Sequence, residues 1–264
     1  MSNLISLEFF QNAIIAGILI SIISGIIGTF IVTNKLSGMT GGIAHSTYGG
    51  LGIAVFLGIN PIYGAFIFSI LTSMILVYLS LKEYSRIDSI VNILWAFGMA
   101  IGIIFIDLTP GYVVNITSFL FGSILSITKT NLIAILILDI FVALFTGLFF
   151  NQLIAISFDR SFSKISGINV NLFFTILMLF ISISIVFLIQ LVGLILVLAL
   201  LTIPVLIAEK FSNNIKVIIL LSIAISLFFN ISGLLLSIYL NLTAGAVIIL
   251  IAIIIYFYIF LIKQ

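Results

Sequence analysis

The chain has one histidine, His45, and it lies in a glycine-dense stretch, residues 40–52, inside a hydrophobic segment. An imidazole within a membrane is costly unless it is paired, hydrated or bound to an ion. Ionisable groups at such depth usually mark a transport or relay path. Imidazole suits zinc and also accepts manganese or iron. We therefore interpret His45 as a metal contact.

Two aspartates could complete a metal path, Asp139 and Asp107. Asp139 falls well inside a predicted span, where a carboxylate costs about 2.5–3.5 kcal/mol on insertion scales. We expect it to be protonated, paired with His45 or exposed to the pathway. Asp107 falls near the outer end of a span and could instead be an interfacial carboxylate in water. His45 could likewise be held by a hydroxyl such as that of Ser46, or by a backbone carbonyl.

The elements that position these residues are membrane helices. The sequence is 64% hydrophobic and 6% charged, and its mean hydropathy is +1.53, far from the usage of soluble domains. This composition leaves no room for a sizeable soluble domain. We therefore predict an all-α, polytopic integral membrane protein made of a single domain, residues 1–264, in the cell (inner) membrane of a prokaryote.

The hydropathy pattern predicts about eight or nine spanning helices, because runs of about 20 apolar residues recur along the chain. The runs are 12–33, 41–57, 62–81, 89–106, 132–149, 172–189, 192–208, 217–238 and 244–262. Placing Lys82 and Arg86 in the cytoplasm satisfies the positive-inside rule, and only Lys129 then falls outside. Residues 109–130 are predicted to be external or partly re-entrant.

On a helix, Gly41, His45, Gly49 and Gly52 share one face, with Tyr48 beside them. Glycines at this spacing leave a furrow that another helix or a small ion can enter. We predict that Gly41, Tyr48 and Gly49 line a narrow translocation path past the imidazole.

A second functional element is predicted at residues 159–167. Asp159 can cap the start of a short helix, and Gly167 is placed to end it. Phe158, Phe162 and Ile165 share one face, while Arg160 and Lys164 add positive charge. Such a helix suits docking into a partner's groove, or it could lie on the bilayer surface.

Other kinds of chemistry are excluded by what the chain lacks. It has no cysteine, so disulfides and thiolate metal sites are absent. The nine Lys and Arg are scattered, which argues against a nucleic-acid partner. No GxxxxGK followed by Ser or Thr is present, so ATP hydrolysis would need another chain. We expect no permanently bound cofactor and no enzymatic activity.

The chain resembles the permease subunits of zinc, manganese and iron ABC importers along almost its whole length. The likeness rests on segments that occur in the family's order: LEFFQNAIIAGILI, GIIGTFIVTNKLSGMTGGIAHSTYGGLGIAVFLG, GMAIGIIFIDLTPGY, SFLFGSILSI, FDRSFSKISGI, QLVGLILVLALLTIP and SIYLNLTAGAVIIL. The resemblance implies a permease that imports a divalent metal, zinc first. It implies a homodimer in the bilayer with an ATP-binding subunit and an extracytoplasmic metal-binding protein as partners, and a coupling role for residues 158–167.

The sequence departs from this family in two places. Many members carry an aspartate four residues before the histidine, and here that place is Gly41. The family's FGD in the external stretch reads Phe121, Gly122, Ser123. Two family acids are therefore missing, which gives Asp139 and Asp107 their interest as metal contacts.

Two alternative functions remain open at this stage. A channel or proton-coupled carrier using His45 and Asp139 as a relay would need no ATPase. A permease for chelated iron or cobalamin would need a wide cavity.

Overall fold

The computed structural model describes residues 8–82, 86–110, 122 and 127–262. Over these residues the fold is all-α and has no strand. We number its helices α1 (Glu8–Thr33), α2 (Ser37–Phe56), α3 (Pro61–Lys82), α4 (Ile87–Asp107), α5 (Lys129–Leu148), α6 (Phe150–Phe158), α7 (Arg160–Ile165), α8 (Val170–Val192), α9 (Leu194–Glu209), α10 (Ile215–Leu240) and α11 (Ala244–Ile262).

Seven of these helices are long and apolar enough to cross a membrane: α1, α3, α4, α5, α8, α10 and α11. The all-α, multi-pass prediction is confirmed, although the predicted number of eight or nine spans is higher. The difference lies in α9, which is shorter, and in α2, which has 20 residues but is rich in glycine and hydroxyl side chains. Most of the predicted segment 109–130 lies outside the described residues.

The contacts within the chain divide it into two compact units. We call Thr33–Ile116 with Phe149–Phe187 the histidine unit, and Met1–Val32 with Thr117–Leu148 and Leu188–Gln264 the aspartate unit. His45 belongs to the first and Asp139 to the second.

In the histidine unit, α2 and α4 pack as parallel neighbours. A Cβ on Gly42, early in α2, would lie 2.6 Å from Val91 of α4, and Gly52, late in α2, contacts Gly102 further along α4. Because the contacts advance in the same direction along both helices, α2 and α4 are parallel. The glycines permit this approach because they remove the side chains that would hold the backbones apart.

The other neighbour of α2 is α3, which runs antiparallel to it. Gly50 and Gly64 approach backbone to backbone. Further along, the hydroxyl of Ser46 lies 3.1 Å from that of Thr72. Helix α2 is therefore held on two sides, by α3 and by α4.

In the aspartate unit, α1 packs antiparallel to α10. Gly25 contacts Ile223, and the amide of Asn230 donates to the hydroxyl of Ser21 at 2.9 Å. A Cβ on Gly28 would lie 2.5 Å from the carbonyl oxygen of Leu201 in α9. The small residues of α1 are therefore packing residues, as interfaces between membrane helices favour.

An ion pair joins the first residues of α1 and α5. Lys129 Nζ lies 2.8 Å from Glu8 Oε1, and both side chains are largely exposed. Exposed pairs contribute little stability, about 0–1 kcal/mol. Lys129 is the basic residue that the positive-inside orientation leaves outside, and its charge is thus offset by an acid at the same end of the unit.

Candidate functional site

His45 lies near the middle of α2 and is half-buried. Its Nδ1 atom is buried and has no hydrogen-bond partner among the described residues. The neighbouring hydroxyl of Ser46 instead donates within its own helix to Ile43 O at 2.9 Å and lies 3.1 Å from Thr72 Oγ1. Ser46 therefore does not satisfy Nδ1, which leaves a nitrogen with an unused hydrogen-bonding or ligand capacity.

The imidazole stacks on Trp95 of α4. The ring centroids are 4.0 Å apart and the planes are inclined by 12°. Trp95 is the chain's one tryptophan, and 39% of it is exposed. Sequence reasoning missed this residue, because no local signal shows that α2 and α4 run parallel in contact.

The predicted furrow is open at one end and filled at the other. A Cβ on Gly41, one turn before His45, would meet nothing within 4 Å. A Cβ on Gly49, one turn after it, would lie 2.8 Å from Gly98 O and 3.0 Å from the ring of Phe68. Space for an ion or a side chain therefore lies on the Gly41 side of the imidazole.

Tyr48 and Asp107 lie further along the same helix pair. Tyr48 is buried, and its ring lies against Gly102, whose Cβ would be 2.5 Å from Tyr48 Cδ1. Asp107 is exposed at the last residue of α4. It is twelve residues beyond Trp95, which is about 18 Å along a helix. Asp107 therefore lies too far along α4 to be a ligand beside His45.

Asp139 lies in the middle of α5, with only 4% of its surface exposed. Neither carboxyl oxygen has a hydrogen-bond partner among the described residues. It shares the buried face of α5 with Ile135 and Val142. A buried carboxyl without a partner carries a large desolvation cost, which packing alone does not explain. Its predicted pairing with His45 stays a prediction.

No group of three or more His, Cys, Asp or Glu that could hold a metal ion occurs in the described part of the chain. A site with few ligands suits a conduit, since an ion held by a full ligand set would not leave. His45 Nδ1 and both carboxyl oxygens of Asp139 are among the buried polar atoms that have no hydrogen-bond partner in the described part of the chain.

The predicted short helix is confirmed as α7. Asp159 Oδ1 accepts a hydrogen bond from the backbone N–H of Phe162 at 2.9 Å, which is an N-cap. Gly167 follows the helix end with φ of +80°, a left-handed conformation that glycine adopts freely. The start and the end of α7 are therefore set by the side-chain cap and the left-handed glycine that the sequence predicts.

One face of this helix is held by the unit and the other is open. Ser163 is fully buried, and the Arg160 guanidinium lies 4.2 Å from the ring centroid of Phe174. Phe158, Phe162 and Ile165 are 76%, 64% and 86% exposed. Phe162 and Ile165 are thus exposed on α7, whereas Phe158 is the last residue of α6 and is separated from α7 by the extended residue Asp159, so the predicted single face of three is wrong in that respect.

Comparison with known proteins identifies the family. The sequence model of the ABC 3 transport family matches residues 6–263. The chain belongs to this family. It is 38% identical to an uncharacterised membrane protein of Synechocystis sp. over 97% of this chain and 91% of that one. It is 32% identical to the manganese transport system membrane protein MntC of Halalkalibacterium halodurans, over 95% and 86%.

A solved structure, PsaBC from Streptococcus pneumoniae in complex with Fab, has a similar fold. The TM-score is 0.86 with 29% identity, over 98% of this chain and 93% of that chain. The predicted family resemblance and the predicted multi-pass location in the cell membrane are confirmed. At Gly41, the position where the resemblance places an aspartate, the structure leaves room for a side chain.

Proposed function

We propose that this ABC 3 chain is the permease of an ABC importer for a divalent transition metal, with manganese as its first candidate. The observation that carries the proposal is the half-buried His45, whose Nδ1 has no partner among the described residues and which lies beside the open space at Gly41. Imidazole together with oxygen donors can hold manganese. Relatives named for manganese transport support this metal over the zinc that the sequence favoured.

His45 would bind the ion in transit, and Asp139 would be its second contact. His45 Nδ1 and both Asp139 carboxyl oxygens are buried atoms without a hydrogen-bond partner among the described residues, and they would gain from an ion because an unsatisfied buried polar atom is unfavourable. Asp107, exposed at the end of α4, would meet the ion earlier. Gly41 and Tyr48 would border the path, and the packed Gly49 would require α2 and α4 to separate before an ion could pass there.

Helix α7 would carry the coupling to a separate ATP-binding subunit. Its exposed side chains Phe162 and Ile165, with Phe158 at the end of α6, fit insertion into a groove of a partner protein. The buried Ser163 and the Arg160 guanidinium over the Phe174 ring would transmit force, because they hold the helix against its unit. Nucleotide-driven closure of two such subunits would favour one arrangement of the permease helices over another.

The partners follow from the same proposal. A homodimer of this chain would form the conduit, and an extracytoplasmic binding protein would deliver the metal. The divalent ion is the transported substrate and not a resident cofactor.

The test is uptake of manganese, zinc and iron by vesicles that contain the reconstituted importer. We expect manganese uptake in the wild type and its loss in His45→Gln, with ATP hydrolysis retained. Thr47→Val is the matched control, because its hydroxyl bonds within α2 to Ala44 O at 2.6 Å. Unchanged uptake in His45→Gln would refute the assignment of His45.

The same vesicles test the self-contained alternative. A channel or proton-coupled carrier would move the ion with a hydrolysis-deficient ATP-binding subunit, whereas the proposed importer would not. Competition by chelated iron or cobalamin would instead support the wide-cavity alternative.

A further inference from the structure

Trp95 covers one face of the only imidazole in the chain. The two rings are nearly parallel, with 4.0 Å between centroids and 12° between planes. A metal ion binds an imidazole nitrogen in the plane of the ring, at its edge. A neighbour stacked on the face therefore restricts the rotation of the ring and leaves the ligand edge free.

We propose that Trp95 is a positioning residue for metal transport, which holds the His45 ring and stabilises its ion-bound form. This inference rests on the proposed function of His45. Coordination of a divalent ion draws electron density from the imidazole and makes the ring more positive. The electron-rich face of an indole attracts positive charge, and tryptophan is the best side chain for this purpose.

The backbone on both sides of the stack is held by close contacts. One turn before Trp95, Val91 packs against Gly42, and a Cβ on Gly42 would lie 2.6 Å from the Val91 side chain. Three residues after it, a Cβ on Gly98 would lie 2.5 Å from Ser46 Cα. The stack therefore lies between two points where α2 and α4 cannot slide freely, and the imidazole is oriented before an ion arrives.

The Gly41 side of the imidazole remains open. Gly41 has nothing within 4 Å of its Cβ position, and the indole itself is 39% exposed. The pair thus combines a fixed ring face with space beside it, which an ion entering and leaving requires.

The first experiment measures manganese uptake by the reconstituted importer as a function of manganese concentration. We expect Trp95→Leu to raise KM about 2- to 13-fold, the range that the loss of one aromatic pair implies, with the maximal rate kept. Trp95→Phe keeps a flat ring and should recover most of this loss. Phe97→Leu is the matched control, because Phe97 is exposed on the same helix about 200° from Trp95.

The second experiment uses the full chain in nanodiscs and the fluorescence of its one tryptophan. Manganese is paramagnetic and should quench Trp95 emission with saturation when it binds at His45. His45→Gln should abolish the saturable part. Saturable quenching that persists in His45→Gln would overturn the proposal, as would an unchanged KM in Trp95→Leu.

These outcomes separate the inference from the function it rests on. If His45→Gln keeps full uptake, the metal assignment of His45 fails, and the role of Trp95 fails with it. If His45→Gln loses uptake while Trp95→Leu has the wild-type KM, only the inference about Trp95 fails.

Discussion

Replacing Gly98 with alanine should force α2 and α4 apart. The added Cβ would lie 2.5 Å from Ser46 Cα and 2.8 Å from Ser46 O. Both of those atoms are backbone, so no side-chain rotation relieves the contact. Ordinary carbon–carbon contacts are about 3.5–4.0 Å, and the helices must therefore separate by about 1 Å.

The expected cost is that of overpacking a well-packed interior, about 1–3 kcal/mol. Alanine favours the helix by up to about 1 kcal/mol over glycine, which offsets part of the cost. For domains of 150–250 residues, each kcal/mol of lost unfolding free energy lowers Tm by about 2–4 °C. We therefore expect Tm to fall by several degrees.

The assay is thermal unfolding of the chain in nanodiscs, followed by the emission of Trp95. Gly147→Ala is the matched control, because Gly147 is also helical and its Cβ would meet nothing within 4 Å. We expect Gly147→Ala to keep or raise Tm and Gly98→Ala to lower it. Equal Tm values for the two variants would refute the packing argument for α2 and α4.

Three further predictions concern the site. Gly41→Asp should be accommodated and should lower the KM for manganese. Gly42→Asp should instead impair folding, because Val91 lies 2.6 Å from the Cβ position of Gly42. Expression and manganese uptake of the two variants test this prediction. Asp159→Ala should remove a cap worth about 1 kcal/mol and reduce the ATPase stimulation that accompanies transport, and Asp159→Asn should not; equal stimulation in both would contradict it. Asp139→Leu should raise thermal stability, since it removes a buried carboxyl without a partner among the described residues. The same variant should abolish manganese uptake, and retained uptake would make Asp139 a structural residue.

Much of the architecture was readable from local sequence. Apolar runs of spanning length predicted the helices, and Asp159 with Gly167 predicted both ends of α7, because capping and left-handed turns depend on neighbours in the chain.

The stack of His45 on Trp95 could not be read in this way. It joins helices separated by α3, and their parallel register depends on which glycines meet across the interface. The packing of Gly49 against Gly98 likewise joins helices that are distant in the sequence, so it could not be predicted either. Interfaces between distant segments leave no periodicity that identifies the partner, so sequence alone suggested an open furrow at Gly49 where the structure has a helix.

The glycines of α2 also have a consequence for how the protein is made. They let α2 pack backbone to backbone with α3 and α4, but they contribute little apolar surface, and α2 is not among the helices that meet the hydropathy criterion for spanning. A segment of this kind partitions weakly into lipid by itself. Its insertion during synthesis therefore depends on the segments that follow it, so that α2 enters the bilayer as a late member of a group, after the neighbours that will enclose it have left the ribosome.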